Sequence, residues 1–442
     1  MIRLYLKLIM LFVLCLRCTS AEEITDVVQE EEDEEEVSTH PNILFLIADD
    51  MGLDATPGYD VGNVKPNMPT LESLMNNGIK FTNLWSSPLC SPTRAGIITG
   101  KYGFRTGVTN VGNSLSSNEQ SIHNYLDNMN SGYSHAVIGK WHLSNRDINH
   151  PNNIGVEEYA GILGGGVQSY FNWDLVENMQ SSNSTDYTTT KLTNLAIDWI
   201  DAQTKPWFLW LAYNAPHTPF HLPPNELHSR GTLSSDQASI DANPLSYYLA
   251  MLEAMDTEIG RLINSMTQEE KDNTVIIFIG DNGTPNQVVQ TYGNRRAKNS
   301  VYQGGINVPM VISGKNVSRM GVEETALLGT TDLFATIAGI AGADIMDIND
   351  SKNFTSMFNT SGASVRDYVY SEIGDEVNSL DYTIRNNTYK LIKFSDGDEA
   401  LYNLVDDPLE SVNLLNVNRL PLSIEAATAR ENLETELINI KQ

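Results

Sequence analysis

Ile43 to Ala48 is an unbroken apolar run, and it stops at two carboxylates, Asp49 and Asp50. Continuous apolar runs of this length fit strands buried on both faces, as in a parallel sheet. The pattern recurs three times. Residues 133–139 lead into Lys140-Trp141-His142, 207–213 into Ala215-Pro216-His217, and 274–279 into Gly280-Asp281-Asn282-Gly283. Between these runs, apolar residues fall at helical spacing over roughly 68–77, 120–129, 188–203 and 245–266. Strands alternating with helices predict an α/β fold with a large, mainly parallel sheet flanked by helices. Such sheets bind ligands beyond the carboxyl ends of their strands. Each of the four runs carries its polar cluster at that end, so the four clusters are expected to meet in one crevice.

From about Val365 the pattern changes to short alternating segments around Tyr368, Asp381 and Tyr389, with a further strand from Glu399 and a last helix over roughly 423–440. Alternation predicts antiparallel strands with one face covered. The expected organisation is therefore an α/β domain over 41–364 and a small C-terminal α+β subdomain over 365–442.

The N-terminus is of another kind. Arg3 and Lys7 precede a short apolar run from Leu8 to Leu16, and Cys18-Thr19-Ser20 supplies small residues before Ala21. Residues 1–20 read as a signal peptide, too short for a membrane span. The protein is thus expected to be secreted or periplasmic, or else held at the surface by a lipid on Cys15 or Cys18. Residues 21–40 read as an acidic, disordered linker: Glu22 to Glu36 holds ten acidic residues and no basic one.

The 442-residue chain carries a formal net charge of −28, and its linker accounts for only part of that. An acidic chain lacks the positive footprint that nucleic acid requires, so nucleic acid is excluded as a partner. An anionic substrate is compatible with this charge only if cations are concentrated at the site.

Candidate chemistry lies at the strand ends and in one further stretch. Asp49 and Asp50 are open to two readings, a turn cap or ligands for a hard cation. Asp281-Asn282-Gly283 reads equally as a plain turn. Together these residues supply three carboxylates and an amide oxygen, an all-oxygen set suited to Ca²⁺ or Mg²⁺. Lys140, His142 and His217 are surface or structural residues on one reading and site residues on the other. Cys90 is the only cysteine beyond the N-terminal segment. A lone thiol makes no internal disulfide, and by itself it reads as a small buried hydrophobe. Its setting is Cys90-Ser91-Pro92-Thr93-Arg94, followed by Thr99-Gly100-Lys101 and Arg105-Thr106-Gly107.

That stretch resembles the sulfatase signature Cys-x-Pro-x-Arg…Thr-Gly, and the resemblance extends from about Asn42 to Leu414. It implies the alkaline-phosphatase-like fold and hydrolysis of sulfate esters, with the cysteine oxidised by a maturation enzyme to formylglycine (3-oxoalanine). By similarity, Asp49, Asp50, Asp281, Asn282 and the modified Cys90 match metal ligands. Arg94, Lys140, His142, His217 and Lys298 match the residues around formylglycine and sulfate. The family mechanism then has a formylglycine hydrate attack sulfur, His217 with Lys298 protonate the leaving alcohol, and His142 take the proton that lets sulfate depart. Where the family usually has Glu-Gly-Gly-x-Arg-Val-Pro, this chain has Gln303 and Asn307 in place of the charges, which reads as loss of a structural ion pair. A phosphate- or phosphonate-ester hydrolase of the same superfamily, and an inactive carbohydrate-binding relative, are the alternatives. The expected substrate is a sulfated carbohydrate, with Tyr170, Phe171 and Trp173 as candidates for stacking on sugar rings.

Overall fold

The structure is a computed structural model that describes residues 40–293 and 295–442; the signal peptide expected over 1–20, with Cys15 and Cys18, and all but the last residue of the linker expected over 21–40 lie outside the described residues. The central sheet has eleven strands. In chain order these are β1 (Asn42–Ala48), β2 (Gly78–Trp85), β3 (Ser134–Lys140), β4 (Glu158–Ile162), β5 (Trp173–Glu177), β6 (Gln180–Ser184), β7 (Trp207–Ala212), β8 (Thr274–Gly280), β9 (Asn307–Gly314), β10 (Val322–Glu324) and β11 (Leu328–Gly329). They are ordered β10-β2-β9-β8-β1-β7-β3-β4-β5-β6, with β11 paired to the end of β2.

The four strands expected from the apolar runs are immediate neighbours, in the order β8-β1-β7-β3, and all run parallel. Their registers place Ala48 beside Gly280, Ile47 beside Ala212, and Ala212 beside Gly139. The carboxyl ends are therefore level, and the residues that follow them open onto one rim. β9 runs antiparallel between β8 and β2, so β2 points the same way as the central four. Strand β2 and the β4–β6 and β9–β11 segments were not among the four apolar runs: β2 and β5 carry polar side chains toward solvent, and β6 is almost wholly exposed.

Both faces of the sheet are covered. One core gathers Ile43, Phe45 and Ile47 of β1 with Ile97 and Ile98 of the Cys90–Thr99 helix and with Phe334 and Ile337 of the Asp332–Ile340 helix. The other gathers Leu44 and Leu46 with Leu192 and Ala196 of the Thr188–Asp201 helix and with Leu252 and Met255 of the Pro244–Ser265 helix. Alternate residues of β1 thus serve opposite cores, as the pleat requires.

A two-stranded hairpin of β12 (Asp347–Ile348) and β13 (Ser351–Lys352) precedes a four-stranded antiparallel sheet, β14 (Val369–Ile373), β15 (Asp381–Arg385), β16 (Tyr389–Lys393) and β17 (Glu399–Asn403). The Ile424–Lys441 helix lays Ala426, Ala429, Leu433 and Leu437 against this sheet, together with Tyr102 and Tyr370. Among the described helices none is long and apolar enough to cross a membrane.

Gln303 and Asn307 sit where the main sheet meets the C-terminal sheet. Gln303 Oε1 accepts from Trp85 Nε1 at 2.9 Å, and Asn307 Nδ2 donates to the Thr82 carbonyl at 3.1 Å. The ion pair of this seam is Lys390–Glu410, fully buried at 2.5 Å, and Glu410 also accepts from the Gln303 backbone N–H.

Candidate active site

β1 delivers Asp49 and Asp50, β3 delivers Lys140 and then His142, β7 leads to Asn214 and His217, and β8 delivers Asp281 and Asn282. β2 runs into the Cys90–Thr99 helix, which begins at Cys90 and is buried along its whole length. Arg94 lies one turn on, on the same helix face as Cys90. Asp50 and His142 both hold left-handed backbone conformations, with φ of 69° and 58°. Non-glycine residues are uncommon there, and such positions persist where surrounding structure enforces them, characteristically at functional sites.

All the site residues expected from the sequence come together. Arg94 donates to Asp281 Oδ2 through Nη2 at 2.8 Å and Nε at 3.2 Å, and its Nη1 donates to the Lys140 carbonyl. Lys140 Nζ lies 2.5 Å from Asp49 Oδ2, and Lys298 Nζ 2.6 Å from Asp50 Oδ1. Cys90 Sγ is 3.2 Å from His142 Nδ1. His217 fixes its Nδ1 on the Thr218 carbonyl at 2.8 Å, which turns Nε2 toward Asp50, 3.9 Å away. With Nδ1 donating to a carbonyl, Nε2 is the nitrogen free to exchange a proton with a ligand.

The charges balance in pairs: Arg94 with Asp281, Lys140 with Asp49 and Lys298 with Asp50. Three cations and three carboxylates sum to zero, so a divalent cation added to this cluster would leave it net positive and attractive to an anion. Two observations fit a cation here. Asp49 Oδ1 and Asn282 Oδ1 are buried acceptors without any hydrogen-bond partner. Oxygens of Asp49 and Asp50 and a nitrogen of His217 also converge within 4.8 Å of one another. His217 was not among the metal ligands expected from the sequence. The signal that brings it in is spatial, since β7 lies directly beside β1.

Burial raises the Asp49 carboxyl despite Lys140, and burial with repulsion from Asp49 pushes Asp281 up to about 6. Asp50 is also buried, but Lys298, His217 and Lys140 outweigh that and bring it down to about 2. Burial, then Lys140 and Arg94, hold His142 down to about 2; burial and Lys140 hold His217 down to about 4. Burial raises the Cys90 thiol, so it is protonated rather than thiolate. An ordinary activated cysteine has the opposite shift, and this one is not set up as a thiolate nucleophile.

Two of the three aromatic residues read as stacking candidates are buried. Tyr170 is buried, with its hydroxyl 2.7 Å from the carbonyl oxygens of both Asn214 and His217, and it accepts from Asn214 Nδ2 at 2.9 Å. It braces the turn that carries His217. Trp173 is also buried, its Nε1 donating to the Asp186 carbonyl. Only Phe171 is exposed, at 42%.

A family model for the sulfatases matches residues 41–343. The chain belongs to the sulfatase family. This sulfatase is a sulfuric ester hydrolase of alkaline-phosphatase-like fold. It is 25% identical over 461 aligned residues to the uncharacterised sulfatase YdeN of Escherichia coli, spanning 83% of this chain and 80% of that one. Among solved structures it resembles Ps i-CgsB in complex with a neocarrahexaose, with a TM-score of 0.75 at 24% identity over 90% of this chain and 92% of that one. It also resembles BT4656 in complex with its substrate D-glucosamine-2-N,6-O-disulfate, with a TM-score of 0.74 at 20% identity over 91% and 98% of the two chains. At these identities the solved structures speak for the fold of this sulfatase, and its own residues must speak for the chemistry.

Proposed function

We propose that this sulfatase cleaves sulfate esters of a sulfated carbohydrate, using Cys90 after its oxidation to formylglycine. The observation that carries this reading is the placement of Cys90. Its Sγ sits at a buried helix start against His142, with Lys140 and Lys298 near enough to pull its thiol down against burial. A protonated, desolvated thiol is a poor nucleophile. The surrounding cations and imidazoles suit instead a hydroxyl-bearing group at this position that attacks an anionic ester. Asp49, Asp50, Asp281 and Asn282, with the oxidised residue 90, would hold Ca²⁺ or Mg²⁺, which when bound supplies Lewis acidity and offsets the charge of the ester.

The chain's own residues do the rest. Arg94, Lys140 and Lys298 provide fixed positive charge where negative charge accumulates. His142 is held neutral, so its Nδ1 can accept a proton from the group at position 90. His217 leaves its Nε2 free of the Thr218 carbonyl, and a bound anionic ester would raise its proton affinity, which would let it give a proton to the leaving alcohol. Support for a sugar substrate comes from the carbohydrate complexes of the fold neighbours and from the polar side chains Gln168, Asn172, Asp174 and Asn183 that line the adjacent cavity.

The test has two parts. Peptide mass spectrometry of active enzyme should find aldehyde in place of thiol at position 90. Assays with sulfated oligosaccharides and with matched phosphate esters should show turnover of the former. Full activity with an unmodified Cys90, or a preference for the phosphate esters, would overturn the reading.

A further inference from the structure

Three successive glycines, Gly164, Gly165 and Gly166, run along one wall of the site. A methyl group at Gly165 would lie 2.5 Å from His142 Cε1, and one at Gly166 3.2 Å from His217 Cε1. At Gly164 it would lie 3.4 Å from Arg146 Nη2 and 3.6 Å from Arg146 Cζ. The three glycines thus pack in turn against a guanidinium and two imidazoles, and the Cα atoms of Gly164 and Gly166 are at most about 7 Å apart.

Arg146 lies on the wall between two cavities. One contains His142 with Gly112, Asn113 and Asn145. The other, of about 250 Å³, contains Gln168, Asn172, Trp173 and Asp174. Arg146 differs from the cations of the centre. Arg94, Lys140 and Lys298 are each paired with a carboxylate. Among the described residues Arg146 has neither an ion-pair partner nor a side-chain hydrogen bond, and it is exposed. Asn145 and Arg146 both hold left-handed backbone, with φ of 45° and 69°, which presents the side chain from a tight turn. Asp174 is the one carboxylate lining the second of these cavities, and it makes no ion pair with the guanidinium.

A planar, permanently charged fork with its donors free, at the mouth of a cavity lined with amides, suits a carboxylate or a sulfate ester. We propose that Arg146 forms an anion subsite, taking a second negative group carried by the substrate. That group is a sulfate ester or a uronate carboxylate on the sugar ring bearing the scissile ester, or on the ring beside it. The assignment rests on the carbohydrate reading above. Asn172, Gln168 and Asp174 would meet sugar hydroxyls in the same cavity.

The experiment compares matched pairs of substrates on wild type, Arg146→Ala and Arg146→Lys. One set is a monosulfated disaccharide against its disulfated and its sulfated-uronate counterparts. The other is nitrophenyl sulfate against nitrophenyl sulfates bearing a ring carboxylate. Wild type should prefer the doubly anionic member by roughly tenfold or more in kcat/KM, mainly through KM. Arg146→Ala should abolish that preference, with a larger loss on the doubly anionic member than on its partner, and Arg146→Lys should restore part of it. The sulfated-uronate and disulfated arms show which anion is taken. A preference confined to the aryl pair and abolished by Arg146→Ala upholds the subsite while the carbohydrate reading falls. Equal losses on both members of each pair, or no preference in wild type, would overturn the subsite.

Discussion

The Nδ1 of His142 stands 3.2 Å from the Sγ of Cys90, while His217 holds its Nδ1 on the Thr218 carbonyl and turns its Nε2 toward Asp50, 3.9 Å away. On the proposed mechanism the two imidazoles would serve different protons, one at residue 90 and one at the leaving group.

Leaving-group protonation matters most when the alcohol is a poor leaving group, as a sugar hydroxyl is. His217→Ala should cut turnover of a sugar sulfate by roughly 100-fold or more, and that of an activated aryl sulfate by far less. His142→Ala should release about one equivalent of alcohol per enzyme and then stall. Equal losses on both ester types with no burst would show that the roles are misassigned.

The carboxylates at the rim predict metal dependence of both activity and stability. Without a cation, burial and mutual repulsion act on Asp49 and Asp281. Thorough chelation should lower turnover and melting temperature together, and Ca²⁺ or Mg²⁺ should restore both. The proton on Asp281 competes with the metal, and its carboxyl is pushed up to about 6. Apparent metal affinity, measured by calorimetry, should therefore weaken as pH falls below about 6.

Gly165 offers a test of positioning without loss of a functional group. A methyl there would lie 2.5 Å from His142 Cε1, so the imidazole is expected to shift from its place beside Cys90. Gly165→Ala should lower kcat by roughly 100-fold, the cost of a displacement of about 1 Å. The melting temperature should change by only a few degrees. Retained kcat would mean that the loop, rather than the imidazole, gives way.

His123 predicts acid sensitivity remote from the site. It is wholly buried, stacked on Phe208 at 5.2 Å, and neither ring nitrogen has a partner. Burial, then His135, hold its pKa well below 6.5. The folded state thus keeps it neutral, and this contribution to stability is present above about pH 6.5 and is lost as pH falls below it, at about 1.4 kcal/mol per pH unit. His123→Phe should reduce the loss of melting temperature between pH 7 and pH 5. An unchanged pH profile would place the acid sensitivity elsewhere.

What the chain determines by itself is local. The apolar runs of β1, β3, β7 and β8 mark their own strands to within a residue or two, because a strand buried on both faces is built mostly of apolar side chains. The Cys90-x-Pro92-x-Arg94 pattern is also legible in the chain, but the helix that puts Cys90 and Arg94 on one face was not among those the spacing predicts. Tertiary structure decided the rest. The order β8-β1-β7-β3 brings Asp281, Asp50, His217 and Lys140 side by side, and nothing in the separate runs encodes which strand pairs with which. Tyr170 and Trp173 read as sugar platforms in the sequence, since an aromatic side chain looks the same whether it faces solvent or core. Their neighbours make Tyr170 a brace for His217 and leave only Phe171 exposed. Arg146 carries no motif at all. It becomes visible only when the glycine loop packs against it between two cavities, because the contact between Arg146 and Gly164 is a property of packing rather than of sequence spacing.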